Sequence, residues 1–314
     1  MSATHDHHHG HHHGHGHSHA SLPPANRGKA FLIAVLLNVG FTIAEVIAGL
    51  VSGSMALIAD AGHNLSDVLS LLLAWGASIL AARPPSERFT YGLKSSSILA
   101  AIANAALLWV ALGAILVETI RRFSNPEAVT GQTMIVVAAI GIVINMASAM
   151  LFARGRKDDL NIRAAFVHLM ADAAVSAGVV IAGILVVTTG QQIIDPIASL
   201  AITAIIGWTS WGLVRDSFRL GMLGVPDTID MAKVRAFLSS RPGVQAVHDL
   251  HIWPMSTTET ALTAHLVMPD GRPGDDFLHS LTHDLNHDFG IGHPTIQIET
   301  ASDALCPLES DAVV

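Results

Sequence analysis

Long apolar stretches alternate with short polar breaks over roughly the first two thirds of the chain. Six of these stretches approach the ~20 apolar residues that a helix needs to cross a bilayer. The breaks between them are rich in glycine, proline and charge, which is typical of helix ends. The pattern therefore predicts six membrane-spanning helices, approximately at residues 30–51, 55–81, 96–120, 132–153, 162–188 and 195–213.

The pattern changes after Pro226, where shorter periodic segments predict a small α/β domain. Helical spacing and strand-like alternation both occur there. A domain of about 75 residues forms only a small core, so pairing with a second copy would stabilise it. The expected elements are helices at residues 228–240 and 275–289 and strands at residues 244–253, 260–267 and 295–299.

The composition supports a chain that is embedded in a lipid bilayer. Hydrophobic residues make up 51% of the chain and charged residues only 13%, whereas soluble domains are about 25% charged. No basic stripe or aromatic-basic module indicates a nucleic-acid partner. The single cysteine, Cys306, excludes an intrachain disulfide and a zinc site built from several cysteines.

The positive charges fall unevenly on the segments between the expected spans. One side of the membrane collects eleven lysines and arginines, whereas the other side has only Arg121 and Arg122. Because loops rich in lysine and arginine stay in the cytoplasm, we expect both termini to be cytoplasmic.

A histidine-rich segment opens the chain: ten of the 19 histidines lie within the first twenty residues. No apolar region with a cleavage site follows, so the segment is not a signal peptide. An expression tag is the alternative, but a tag is usually one unbroken run of histidines. We interpret the segment as a disordered, metal-collecting tail, with ligands among His7, His8, His9, His11, His12 and His13.

Two His-x-x-x-Asp repeats lie inside apolar spans. His63 precedes Asp67 in the second span, and His168 precedes Asp172 in the fifth. On a helix each pair shares one face, with the two residues roughly 6 Å apart. Ionisable groups are costly in lipid and therefore indicate a function. Two imidazoles and two carboxylates are suitable ligands for a tetrahedral zinc site.

This ligand set favours a carrier over an enzyme. An intramembrane zinc protease would need His-Glu-x-x-His, which neither repeat matches. Four protein ligands also leave no open position for a catalytic water. Histidine binds protons near neutral pH, so metal binding would displace protons. Histidine at both leading positions favours zinc, whereas carboxylates alone would suit Mn²⁺ better.

The two repeats lie at different depths when they are counted from the cytoplasmic ends of their spans. The difference amounts to roughly 9 Å at 1.5 Å per residue. Helix tilt, or a fifth helix that protrudes into the cytoplasm, would remove it.

Other polar residues in the spans have more than one interpretation. Asp60, one turn before His63, either holds the second ring nitrogen of that histidine or caps or packs near the helix end. Asp195, at the start of the sixth span, is expected to be the N-cap of its helix. Further polar residues line a wet cavity or bridge helices by hydrogen bonds, namely Asn38, Glu45, Asn104 and Asn145.

Four segments of the chain carry a family resemblance. The first runs from Ser54 to His63, with Asp67 after it, and the second is His168-x-x-x-Asp172. The other two are His248-Asp249-Leu250-His251-Ile252-Trp253 and Thr295-Ile296-Gln297-Ile298-Glu299. In this order they resemble the cation diffusion facilitator family, in its zinc-transporting branch, and the resemblance covers residue 30 to about residue 299.

The resemblance implies a homodimer in which each protomer has six transmembrane helices and a small cytoplasmic, metallochaperone-like α/β domain. It also implies export of Zn²⁺ from the cytoplasm in exchange for protons, by alternating access around His63, Asp67, His168 and Asp172. Cd²⁺, Co²⁺ and Ni²⁺ remain open as secondary substrates. The expected division is a disordered tail at residues 1–28, a transmembrane domain at 29–220, a metal-binding dimerisation domain at 221–300 and a C-terminal tail at 301–314.

Zinc is expected a second time, as a structural or regulatory ion of the cytoplasmic domain. By the resemblance, His248, His265 and Glu299 fall where family members bind zinc at the dimer interface. His293 and His283 are weaker candidates for a further ligand. Solvated surface histidines are the alternative interpretation of this group.

The chain departs from the family pattern in its loops. Residues 86–94 contain no histidine, so no additional zinc site is expected there. Serines follow Lys94 where many members have a glutamate, which puts a salt bridge to the partner protomer in doubt. The loop between the fourth and fifth spans is short and basic, and the histidines are N-terminal instead, which indicates a protein of the bacterial inner membrane.

The leading hypothesis is a Zn²⁺/H⁺ antiporter, a secondary active transporter and not an enzyme. The alternative is a membrane-anchored metal-sensing or metal-storage protein, whose tail and soluble domain bind zinc without transport. Ligands buried in lipid argue against this alternative, because a sensor does not need them. An intramembrane metallohydrolase is a weaker third hypothesis, since the site lacks a free metal position and a general base.

Overall fold

The computed structural model describes residues 28–152, 160–271 and 273–300. The histidine-rich tail, with His7 to His13, lies outside the described residues, as do the basic loop at residues 154–157 and Cys306. Within the described residues the chain forms eight helices and three strands. They are α1 (Gly28–Ser52), α2 (Met55–Ala81), α3 (Ser96–Ser124), α4 (Gly131–Phe152), α5 (Leu160–Thr189), α6 (Ile194–Gly221), α7 (Met231–Ser239), β1 (Ala246–Pro254), β2 (Thr260–Val267), α8 (Asp275–Phe289) and β3 (Ile291–Glu299).

Helices α1 to α6 form the membrane domain that the hydrophobic pattern predicts. Five of them, α2 to α6, are long and apolar enough to cross a bilayer. Helix α1 has 25 residues. Its apolar stretch among the residues whose side chains are described is Leu36–Ser52, which is shorter than the other five. Helices α3 and α6 run beyond the predicted spans, to Ser124 and Gly221, because helical hydrogen bonding continues past the apolar residues.

The outer surface of this domain is apolar. Trp208 is 86% exposed, Val51 82% and Val110 72%. Large apolar surfaces of this kind are rare on soluble monomers. In a bundle of membrane-spanning helices they are the surface that contacts lipid.

The helices run alternately in opposite directions, so the membrane domain has two ends. We call the end with the α2–α3 loop and the C-terminal domain the domain-side end. The opposite, distal end has the α1–α2 turn and the α3–α4 and α5–α6 loops. There the Arg122 guanidinium donates to the Gly53 carbonyl, and the backbone N–H of Val129 donates to Gln192 Oε1 at 2.8 Å. These contacts tie α3 and the distal loops together.

Asp195 connects α6 to the start of α2 at the distal end. Its Oδ1 accepts hydrogen bonds from the Ser54 hydroxyl at 2.6 Å and the Ala56 backbone N–H at 3.2 Å. Its Oδ2 accepts from the Met55 backbone N–H at 2.8 Å. The prediction that Asp195 caps its own helix is wrong. Helix α6 begins one residue earlier, at Ile194, and the buried carboxylate instead satisfies N–H groups at the N-terminus of α2.

Helices α4 and α5 approach closely where Gly131 and Gly183 face each other. A Cβ atom on Gly131 would lie 2.9 Å from the Gly183 carbonyl oxygen, and one on Gly183 would lie 3.0 Å from the Gly131 oxygen. Small residues permit such contacts between membrane helices. This packing holds α5, which carries one of the two repeats, against α4.

The C-terminal domain is a three-stranded sheet with two helices. Strand β2 lies in the centre, antiparallel to β1 and parallel to β3. Helix α7 packs against β1 and α8 against β3. The predicted order of elements is confirmed, although α7 begins later than predicted, after the N-cap Asp230. The core includes Leu238, Leu262, Leu266 and Leu285.

The α2–α3 loop and the first turn of α3 contact the β1–β2 hairpin of the C-terminal domain. Lys94 forms an ion pair with Glu259, and the Thr257 backbone N–H donates to Ser97 Oγ at 3.1 Å. Lys94 therefore has an acidic partner within its own chain. The loop links α2 and α3 to the C-terminal domain.

Candidate metal-binding sites

The two His-x-x-x-Asp repeats meet where α2 faces α5. The helices are antiparallel, so each histidine lies beside the aspartate of the other repeat. His63 Nε2 is 3.3 Å from Asp172 Oδ1, and His168 Nε2 is 3.1 Å from Asp67 Oδ2. Within the repeats the corresponding distances are 3.7 and 3.6 Å. The structure thus brings together the four side chains that the sequence singles out, which we call the quartet.

The spacing of the quartet suits a small divalent ion. Zinc binds histidine nitrogen and carboxylate oxygen at about 2.0–2.2 Å, so tetrahedral ligands are about 3.4 Å apart. The nitrogen–oxygen distances of 3.1 to 3.7 Å bracket this value. Ligand atoms of His63, Asp67 and Asp172 all lie within 4.8 Å of one another. The donor set and its dimensions are therefore compatible with Zn²⁺.

The quartet closes although its two repeats lie at different distances from their helix ends. Helices α2 and α5 have 27 and 30 residues, which is more than the ~20 that a bilayer needs. Helices of this length tilt or extend beyond the hydrocarbon region. The difference in depth is therefore compatible with a closed site.

The exposure of the quartet increases in one direction. The side chains of Asp172 and His63 are 4% and 18% exposed, whereas those of Asp67 and His168 are 33% and 47% exposed. The two more exposed residues lie toward the domain-side end of their helices. The quartet is therefore more accessible from the domain-side end than from the distal end.

Asp60 joins α2 to α5 instead of supporting the ring of His63. Its Oδ2 accepts a hydrogen bond from Ser176 Oγ at 2.9 Å. His63 Nδ1 has no hydrogen-bond partner among the described residues, and the N-cap of α2 is Ser54. Neither a role as ring partner nor one as cap is observed for Asp60. Sequence reasoning missed Ser176, because an isolated serine in an apolar helix carries no distinctive signal.

Two of the other polar residues bridge helices, as one interpretation proposed. Asn64 Nδ2 donates to Glu45 Oε2 at 2.9 Å and joins α2 to α1. Asn38 Nδ2 donates to Ser148 Oγ at 3.5 Å and joins α1 to α4. These hydrogen bonds therefore tie α1 to both α2 and α4.

A second cluster lies on the sheet of the C-terminal domain. His248 and His265 are directly opposed in the antiparallel pair of β1 and β2, and such residues have side chains on the same face. His265 Nδ1 lies 3.3 Å from His248 Nε2. Glu299, on β3, places Oε1 3.0 Å from His265 Nδ1 and Oε2 3.3 Å from His248 Nε2. These three ligand atoms lie within 4.8 Å of one another.

Asp249 extends this cluster toward His251. A bulge interrupts β1 between His248 and His251, and Asp249 has a positive φ of 47°. Its carboxylate contacts His251 Nε2 at 2.9 Å and His265 Nε2 at 3.4 Å. A bulge re-aims side chains in this manner. Asp249 lies within the motif His248–Trp253, but the alternation of side chains expected along a regular strand does not indicate the bulge.

The two weaker candidates, His293 and His283, lie apart from this cluster within one protomer. The ring of His293 packs edge-on against Tyr91, with centroids 5.4 Å apart. His283, on α8, stacks on His287 with centroids 6.0 Å apart. A hydrogen bond with Asp288 raises the pKa of the exposed His287. The cluster therefore consists of His248, His265 and Glu299, with Asp249 beside them.

Six helices with an apolar outer surface, two histidines and two aspartates that meet between α2 and α5, and a small α/β domain are together typical of a metal-cation transporter. Residues 31–220 match the family described as "Cation efflux transmembrane domain". Residues 226–301 match the one described as "Cation efflux protein, cytoplasmic domain". The chain belongs to the cation efflux, or cation diffusion facilitator, family, and it is a cation efflux transporter.

Similar proteins extend over nearly the same length. The "Cadmium, cobalt and zinc/H(+)-K(+) antiporter" of Bacillus subtilis (strain 168) is 36% identical over 277 residues, covering 87% of this chain and 89% of the relative. The "Zinc transporter ZitB" of Escherichia coli (strain K12) is 35% identical over 280 residues, covering 88% and 89%. A solved structure, "Metal-bound C-terminal domain of the CzcD transporter from Cuprividus metallidurans", is 38% identical, with a TM-score of 0.22, and covers 23% of this chain and 99% of that chain.

Proposed function

We propose that the protein exports Zn²⁺ from the cytoplasm in exchange for protons, with the quartet as the transport site. The observation that carries this proposal is the convergence of two imidazoles and two carboxylates inside the membrane domain. The names of the relatives from Bacillus subtilis and Escherichia coli support zinc as a substrate and protons as counter-ions. Cd²⁺ and Co²⁺ are secondary candidates because the first of these names includes them.

The ligands of the quartet couple the metal to protons. An imidazole nitrogen binds either Zn²⁺ or a proton through the same lone pair, so the two compete. At higher pH the histidines are neutral and Zn²⁺ binds; at lower pH protons displace it. A site that opens alternately to two compartments would therefore load Zn²⁺ on the less acidic side and release it on the more acidic side.

We further infer that both termini and the C-terminal domain lie in the cytoplasm of a bacterial cell, and that the protein is a homodimer of the inner membrane. The excess of lysine and arginine on the loops of the domain-side end supports this orientation. The small core of the C-terminal domain supports its pairing with a second copy. The domain-side end, from which the quartet is more accessible, then faces the cytoplasm, so Zn²⁺ would enter the quartet from the cytoplasm.

Zinc uptake by proteoliposomes tests this proposal. The purified full-length protein is reconstituted with a zinc indicator and a pH indicator inside the vesicles. We expect zinc to enter faster when the interior is more acidic than the exterior, and the interior pH to rise as zinc enters. A protonophore should abolish this acceleration.

Two outcomes would contradict the proposal. Zinc entry that is independent of the pH gradient and moves no protons would exclude antiport. Zinc binding without entry, under any gradient, would favour the membrane-anchored sensor or storage protein instead. Protein-free vesicles, measured in parallel, give the background leak.

The cluster on the C-terminal sheet is proposed as a regulatory zinc site formed by His248, His265 and Glu299. Glu299→Gln should remove one tightly bound Zn²⁺ per protomer, because the variant loses the anionic ligand and affinity falls by more than about tenfold. Zinc stoichiometry is measured on protein without the histidine-rich tail, so that tail ligands do not contribute. His279→Ala, an exposed histidine of α8, is the matched control. An unchanged stoichiometry in Glu299→Gln would exclude this assignment.

A further inference from the structure

Two carboxyl groups are buried beside the quartet without belonging to it. Glu45 lies on α1 and Asp60 on α2, and both are 0% exposed. Asn64, one turn after Asp60 on the same face of α2, donates a hydrogen bond to Glu45, so both carboxyl groups lie along this stretch of α2. Asp60 lies one turn before His63, and its partner Ser176 lies one turn after Asp172, so the pair sits on the distal side of the quartet.

Each carboxyl group has one oxygen that is held by a neutral donor. Asn64 Nδ2 donates to Glu45 Oε2, and Ser176 Oγ donates to Asp60 Oδ2, both at 2.9 Å. The other oxygens, Glu45 Oε1 and Asp60 Oδ1, receive no hydrogen bond from any described residue. No lysine or arginine within the described ranges forms an ion pair with either group.

A hydrogen bond between the two carboxyl groups requires a proton on one of them. An ionised carboxylate is only an acceptor, so two ionised groups cannot form a hydrogen bond with each other. Two negative charges in a buried site also repel strongly, and such pairs hold a proton between them. One proton on either carboxyl provides the missing donor and reduces the charge of the pair from −2 to −1.

We propose that Glu45 and Asp60 share one proton, and that this pair is a second proton-binding site of the transporter, distinct from the quartet. The inference rests on the proposed exchange of Zn²⁺ for protons. When Zn²⁺ occupies the quartet, its positive charge one turn away favours the fully ionised pair. The carboxyl O–H bond then breaks, its electron pair stays on the carboxylate, and the proton passes to water. The pair takes up a proton again after Zn²⁺ leaves.

The surroundings of the pair allow this assignment. The other titratable groups that act on it are His63 on α2 and Asp172 on α5. Helix α4 has no titratable residue, and the charged residues of α3 and α6 lie near the helix ends. The pair is therefore governed by its own shared proton and by the charge at the quartet.

Infrared difference spectroscopy on the full-length protein in lipid tests the shared proton. We expect the carbonyl stretch of a protonated carboxylic acid in the zinc-free protein, and a loss of this band when Zn²⁺ is added. Glu45→Gln and Asp60→Asn should each abolish the band, because either variant leaves one ionised carboxylate beside an amide. Asp216→Asn, an exposed carboxylate of α6 that pairs with Arg215, is the matched control and should retain it.

Several outcomes would overturn the inference. They are a zinc-free spectrum without the band, a band that Zn²⁺ does not alter, and a band that persists in both variants. If the band is absent and the infrared spectrum changes when K⁺ is replaced by choline, the pair binds a monovalent cation instead of a proton. If neither variant folds, Ser176→Ala is used, and a band that does not shift when the hydrogen bond to Asp60 is lost would exclude the pair as its source.

Flux measurements separate this inference from the proposed function. In the proteoliposome assay, Glu45→Gln should move about one proton fewer per Zn²⁺ than the unmodified protein. Zinc flux without proton movement in the unmodified protein would exclude the proposed antiport and this inference with it. Proton-coupled flux with an unchanged ratio in Glu45→Gln would exclude the second proton site alone.

Discussion

Asp172→Asn is expected to reduce zinc flux by more than about 100-fold while the protein still folds. Replacing a residue that only supports a metal ligand typically costs 10–100-fold in affinity, and Asp172 is a proposed ligand. Its side chain is 4% exposed and contacts both histidines of the quartet. The amide has nearly the same size but carries no charge to balance Zn²⁺. Zinc entry into proteoliposomes measures the flux, and size-exclusion chromatography in detergent checks the fold.

Asp216→Asn provides the comparison for this variant. It removes the same charge from an exposed position near the C-terminus of α6 and should transport zinc at the unmodified rate. Flux that is unchanged in Asp172→Asn would show that the quartet is not the transport site. If both variants lost zinc flux, the loss would follow from removing a negative charge anywhere in the membrane domain, and not from the quartet.

Asp195→Ala is expected to lower the free energy of unfolding by about 3–9 kcal/mol, since it removes three buried hydrogen bonds at about 1–3 kcal/mol for each donor left without a partner. The donors are Ser54 Oγ and the backbone N–H groups of Met55 and Ala56. A loss of this size corresponds to a decrease in melting temperature of roughly 10 °C for a chain of this length. Thermal unfolding of the purified protein in detergent measures it.

Two further variants serve as comparisons for the stability effect of Asp195→Ala. The carboxylate holds the N-terminus of α2, and His63 lies between two and three turns further along that helix. Asp195→Asn, which retains one acceptor oxygen, should be affected less than Asp195→Ala. Asp230→Ala, which removes the exposed N-cap of α7, should cost only about 0.5–2 kcal/mol. Equal effects of Asp195→Ala and Asp230→Ala would show that the buried network at the distal end contributes little.

A feature can be predicted from the sequence when its signal is local or when a family motif carries it. Helix α2 has the predicted bounds, Met55 to Ala81, because apolar composition and flanking breaks are properties of one segment. The quartet could be predicted because four ionisable residues at helical spacing are too costly in lipid to occur without a use. His248, His265 and Glu299 came from the resemblance, and strand register places them together.

The residues that were missed or misassigned depend on contacts distant in sequence. Asp195 contacts Ser54, 141 positions away, and nothing near Asp195 in the sequence indicates that partner. Ser176 lies 116 positions from Asp60. His293 precedes Glu299 along β3 and, at about 3.3 Å per residue, lies far from the cluster. The pairing of strands, and not the type of residue, decides which histidines meet.

The sequence by itself determined that the chain has a helical membrane domain followed by a small α/β domain, and which ionisable residues lie inside the membrane domain. Hydrophobic period, composition and the cost of charge in lipid act within single segments, so they can be read without knowing how the segments pack. Only the tertiary structure decided that the repeats meet antiparallel, that Asp195 holds the start of α2, and that Glu45 accepts a hydrogen bond from Asn64 of α2. Those contacts join different helices, and they depend on helix packing that no single segment encodes.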